Sequence, residues 1–137
     1  MHGNSVQWEI DTYTSSAPDF IGDFATVVGA SGEVLREGTN GWTCLPFVPM
    51  PKMGFKNPNE AAPACADANA VAWANAYISK TKPVIENDGW IWMIHGDTGV
   101  DNFRPYSEGD KANTAPEDWI YSGSQLRFMP KDPASLD

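Results

Sequence analysis

His95, Asp97 and Asp101 are the residues whose types and spacing come closest to a reactive site. An imidazole and two carboxylates can bind a divalent metal, or one can act as a general base while another orients it. They fall where an apolar segment gives way to a long polar one, a common setting for sites. Their spacing matches no metal motif. The plainer reading, a strand-end histidine followed by a solvated acidic loop, is the one we favour. His95 is the only histidine away from the extreme N-terminus. No serine lies in a G-x-S-x-G turn, and the glycines around Gly99 and Gly109 make no phosphate loop. The reading therefore leans away from an enzyme. A small hydrolase or metal-dependent enzyme using His95 with Asp97 or Asp101 stands as the alternative, and no resident metal or cofactor is expected.

Cys44 and Cys65 form the second constellation. Cys44 falls in an expected strand and Cys65 on an expected helix, so strand-to-helix packing can bring them together. In an oxidising compartment they would form a disulfide, closing a loop of about 20 residues and stabilising by about 3 kcal/mol. The alternatives are two buried thiols filling small gaps, or a Cys65 thiol of lowered pKa near a helix N-terminus.

The third constellation is aromatic: Trp42, Trp73, Tyr77, Trp90, Trp92, Phe103, Tyr106 and Trp119. Most belong to a core, because aromatic side chains bury large areas. Trp73, Tyr77, Trp92, Phe103 and Tyr106 are also the residues expected to line a partly open cleft for a small apolar or aromatic ligand, since such sites are concave and mostly apolar.

These groups need elements to position them. Residues 60–81 carry alternate alanines from Ala64 to Ala76 and predict one long helix, because alanine has the highest helix propensity. Asn59 offers an N-cap, Pro63 fits the first turn, and Pro83 ends the run. At 100° per residue, Cys65, Ala68, Ala72, Ala76 and Ser79 form a small-residue stripe expected to lie on a sheet. The Trp73 flank then needs a cover, and the proline-rich loop 46–58, with Phe47, Met50 and Phe55, is a candidate lid. Residues 24–45 read as a three-stranded antiparallel meander: ATVV, EVLRE and WTCL, with an Asn40-Gly41 hairpin turn before the last. Residues 1–20 are an arm in which Val6, Trp8 and Ile10 suit a strand while Val6 and Ile10 also suit a helix. Residues 88–130 hold WIWMIH, a strand apolar on both faces and so expected at the centre of a covered sheet. A long loop over 96–117 and strands near 119–121 and 125–129 follow it.

The result is a single α+β domain over 1–137: a mostly antiparallel sheet of about five strands packed on one long helix, in the order β-β-β-α-β-β. Aromatic residues make up 12% of the chain and hydrophobic ones 42%, which excludes intrinsic disorder. A net charge of −9 disfavours nucleic acid and anionic membranes as partners, since both select clustered Lys and Arg. No apolar run approaches the roughly 20 residues of a membrane helix, and MHGNSV lacks the pattern of a signal peptide. A helix apolar nearly all round and a two-sided apolar strand leave more surface than one helix can cover, so a homodimer is expected.

At GEVLREGTNGWTCLP, then Pro63 to Cys65 with Asp67, then the strand from Trp90 to Gly96, the chain resembles a group of small, uncharacterised bacterial proteins made with a secretion leader. The pattern runs from about Ala17 to Pro133, and GTNGWTC is its most specific part. The resemblance implies an extracytoplasmic (periplasmic or secreted) domain of unassigned activity and supplies no catalytic residues. It also implies a leader and a further C-terminal edge strand, neither included in these residues, and a residue other than histidine near position 95. Together the residues and the resemblance favour a non-catalytic extracytoplasmic binding or interaction domain, with an aromatic cleft or a dimer surface. A purely structural homo-oligomer is the third reading.

Overall fold

The computed structural model describes residues 3–96, 123–129 and 131, without the side chains of Tyr77 and Ile78. Within them the fold is α+β: a six-stranded sheet in the order β2-β1-β3-β4-β5-β6 with helices on both faces. The strands are β1 (Thr26–Val28), β2 (Val34–Arg36), β3 (Trp42–Pro46), β4 (Pro63–Asp67), β5 (Gly89–Met93) and β6 (Gln125–Met129). The helices are α1 (Val6–Thr14), α2 (Asp19–Gly22), α3 (Pro58–Ala61) and α4 (Ala68–Ser79). All neighbouring strands are antiparallel except β1 and β3.

That exception corrects the expected meander over 24–45. All three strands exist, but β1 lies between the other two and runs parallel to β3, so the Asn40-Gly41 turn links strands that are not neighbours. Two groups hold this corner instead of a hairpin. Arg36 donates to the carbonyls of Gly22 (2.6 Å) and Ala25 (2.7 Å). Asn40 Nδ2 donates to the carbonyl of Ile21 at 2.8 Å.

Of the helix expected over 60–81, residues 60–61 close the short α3 and the long helix runs only over 68–79. Ala62 turns left-handed (φ 45°) before Pro63, and PACAD then runs extended as β4. A residue before proline avoids the helical region, and pairing on both edges outweighs the helix propensity of two alanines. Asp67 marks the true start of α4: its Oδ1 accepts the amide of Ala70 at 2.8 Å, as an N-cap does. Cys65 is therefore on a strand, directly opposite Cys44.

The arm resolves as a helix, with Ser5 Oγ accepting the amide of Trp8. Helix α1 covers the sheet face that carries Val27, Cys44 and Cys65, its Tyr13 carbonyl oxygen 3.4 Å from Cys65 Sγ. Helix α4 covers the opposite face, where Gly89 admits it: a Cβ on Gly89 would lie 2.5 Å from the Ala70 nitrogen. The small-residue stripe does not make this contact. Ala68, Ala72 and Ser79 are exposed, whereas Ala70, on the Trp73 flank, is fully buried. The 46–58 loop is not a lid for Trp73 either. Phe55 stacks on Trp8 of α1 (centroids 6.2 Å apart), and Asn4 holds the Phe55 backbone by both its amide and its carbonyl. Helix α1 needed a cover for its outer apolar side, and the loop supplies it.

Candidate functional site

Strand β5 does not have the fully covered setting expected of it. Residues directly opposite across antiparallel strands share a face. Ile91 and Met93 are buried on the α4 side, but Trp90 and Trp92 lie on the other, opposite Phe128 and Leu126 of β6. Helix α1 packs on β1, β2, β3 and β4, the far part of that face. Trp90 remains 42% exposed, Leu126 46% and Phe128 39%, with Trp92 half-buried against the core. The Trp90 and Phe128 rings meet at 4.9 Å, tilted by 49°. Four large apolar side chains thus form a cross-strand ladder open on one side.

Asp67 sets where the ladder begins. One carboxylate oxygen caps α4, and the other accepts the backbone amide of Trp90 at 3.1 Å. One side chain thereby ties the helix on one face to the residue that presents an indole on the other. Asp88 Oδ1 accepts the amide of Lys131 at 2.8 Å, fastening the chain after β6 to the start of β5.

The histidine site develops differently. His95 Nε2 lies 2.8 Å from Ser15 Oγ, a pairing the sequence did not reveal because the two are far apart in the chain. Ser15 Oγ donates its one proton to the Thr12 carbonyl at 2.7 Å, so the histidine must donate from Nε2 to the serine. Activation of a serine nucleophile needs the opposite direction. Partial burial lowers the His95 pKa and favours the neutral ring. The backbone amides of Ser15, Ser16, Ala17 and Gly96 all donate to nearby carbonyls, so none serves an oxyanion hole. Asp97 and Asp101 lie outside the described residues, and among the described ones no three of His, Cys, Asp and Glu gather as metal ligands.

Cys44 and Cys65 form a disulfide across β3 and β4. Both are fully buried, and the Ser16 hydroxyl, which donates to the Tyr13 carbonyl, lies 3.4 Å from Cys65 Sγ. A bridged sulfur has no proton to donate and no thiolate to react, so the lowered-pKa alternative for Cys65 does not apply. A second buried polar contact joins α1 to the β1–β2 turn. Glu9 accepts the Tyr13 hydroxyl (2.9 Å) and the Ala30 amide (3.0 Å) on one oxygen. Burial, and then the adjacent Glu9 carboxylate, hold the Tyr13 phenol well above the ordinary tyrosine range.

Of the residues expected to line a cleft, Trp92 belongs to the ladder. Trp73 and Tyr77 belong to α4, which packs on the sheet face opposite to that of Trp92. Phe103 and Tyr106 lie outside the described residues. Leu126 and Phe128 were not anticipated as site residues, although the alternation in Gln125–Met129 was the signal that could have marked them. No helix among the described residues is long and apolar enough to cross a membrane. Comparison with protein-family models, curated proteins and solved structures found no match.

Proposed function

We propose that the protein is a non-catalytic binding or interaction domain of an extracytoplasmic compartment. Its site is the ladder of Trp90, Trp92, Leu126 and Phe128, which takes a small apolar or aromatic ligand or the same face of a second copy. The carrying observation is the contiguous exposure of three of these side chains on one sheet face. Single exposed apolar residues are ordinary, but a clustered patch of aromatic and aliphatic groups favours a partner. Tryptophan and phenylalanine also supply large contact areas with few rotatable bonds to immobilise. The buried disulfide supports the compartment, because such bonds persist where the surroundings are oxidising. The resemblance of GTNGWTC to small secreted bacterial proteins points the same way.

Native mass spectrometry of the purified protein, beside Phe128→Ser, tests the site. The expected result is a retained apolar molecule or a dimer in the wild type, lost or weakened at least about 10-fold in the variant, as removal of one well-buried aromatic anchor implies. A wild type that is monomeric and empty, or a complex that Phe128→Ser leaves unchanged, refutes the reading.

A further inference from the structure

Asn40-Gly41 is the chain's only Asn-Gly step, and both residues are exposed. We propose that Asn40 is a self-modification site, at which the folded protein converts the asparagine to aspartate and isoaspartate and thereby releases α2 from the start of β3.

Three features favour the reaction at this step. Gly41 has no side chain to obstruct its nitrogen, and a Cβ built there would meet nothing within 4 Å. The Gly41 amide donates to no group among the described residues, unlike that of Ala70 behind Asn69, which is engaged by Asp67. The Trp42 amide donates to Asn40 Oδ1 at 3.1 Å. That hydrogen bond polarises the side-chain carbonyl and stabilises the negative charge that grows on Oδ1 when a nucleophile adds to Cγ. Among the other described asparagines, Asn57 precedes a proline, which has no N–H to lose, and Asn69 and Asn75 sit in α4.

The step balances without a co-reactant other than water. Hydroxide removes the Gly41 amide proton, and the nitrogen forms a bond to Asn40 Cγ. The Cγ–Nδ2 bond breaks, and the nitrogen leaves as ammonia after taking a proton from water. Water then adds to either carbonyl of the cyclic imide and breaks one C–N bond, giving aspartate or isoaspartate.

The product cannot keep the native contact. Asn40 Nδ2 is the donor to the Ile21 carbonyl, and a carboxylate there would face that oxygen with no proton between them. The isoaspartate form also lengthens the main chain just before Trp42, the first residue of β3. Arg36 still holds Gly22 and Ala25, so the loss is confined to one of the two ties on α2.

The test is incubation of the folded full chain at mildly alkaline pH, with peptide mapping for the amide-to-acid mass gain and for isoaspartate. Asn40 is expected to convert ahead of every other asparagine, and Gly41→Ala to slow it markedly. Hydrogen exchange of Asn40→Asp, which needs no incubation, is expected to show lost protection over residues 21–25 with the rest of the sheet unchanged. Conversion of Asn40 only in the denatured chain overturns the proposal, and so does native protection over 21–25 in Asn40→Asp. Both outcomes are independent of the apolar ladder.

Discussion

Replacing Cys44 and Cys65 together by alanine removes a crosslink that spans 21 residues of sequence. The chain-entropy relation for a loop of that size gives about 3 kcal/mol, because the bridge restricts the unfolded chain far more than the already ordered β3–β4 pair. With a urea dependence of about 2 kcal/mol per molar for a domain of this size, the midpoint should fall by about 1.5 M. The slope should rise as well, since an uncrosslinked unfolded chain exposes more surface. The assay is urea unfolding followed by tryptophan fluorescence on wild type and double variant, with the denatured mass confirming the bridge in the former. A parallel arm exploits burial. Both sulfurs are fully enclosed, so a thiolate reductant reaches them only through opening of the sheet. Alkylation after reductant treatment should be negligible in buffer and complete in denaturant. A midpoint that does not move, or ready reduction of the folded protein in proportion to reductant concentration, would refute the reasoning.

Two other outcomes are expected. Asp67→Ala should destabilise by about 1–2 kcal/mol, an N-cap loss plus the Trp90 amide left without its acceptor, while Asp67→Asn should cost roughly half as much because one acceptor oxygen remains; equal urea midpoints for the two variants would contradict the double role. Tyr13 should ionise well above the ordinary tyrosine range, since its folded pKa lies above that of the unfolded chain. At high pH the unfolded state then holds fewer protons than the folded one, so stability is undiminished below about pH 10 and falls above it. Ultraviolet titration should show one phenol ionising only together with unfolding, and Glu9→Gln should bring its ionisation down.

The sequence made the α+β class legible because strand alternation and turn residues speak locally. The positions of β1, β2, β3, β5 and β6 followed from short apolar runs bounded by glycine and proline. The exception is Pro63 to Asp67. Alanine-rich sequence carries a helical preference, yet this piece is the fourth strand, with a neighbour on each edge and a helix on each face. Alanine suits that place because a small side chain lets α4 lie close to the sheet, a demand visible only in three dimensions. Asp67 is the available signal, an N-cap residue type in the middle of the expected helix and the cap at the true start of α4. The Ser15–His95 pairing and the Trp90–Phe128 ladder depend on contacts between distant parts of the chain, so no local pattern announced them.

The way polar groups are used bears on what the protein does. Catalysis requires side chains free to exchange partners with a substrate as charge or protons move. Several of the described side chains are committed to the scaffold: both oxygens of Asp67 to two backbone amides, Glu9 to Tyr13 and Ala30, Arg36 and Asn40 to carbonyls of α2, and Ser15 to Thr12 and His95. The apolar side is arranged the opposite way. Helix α1, with Phe55 outside it, closes the sheet face over β1–β4 and stops short of β5 and β6, where indole and phenyl rings stay open to solvent. Polar groups tied to the protein's own backbone beside an exposed aromatic face support the binding role proposed above, in which a partner buries that face.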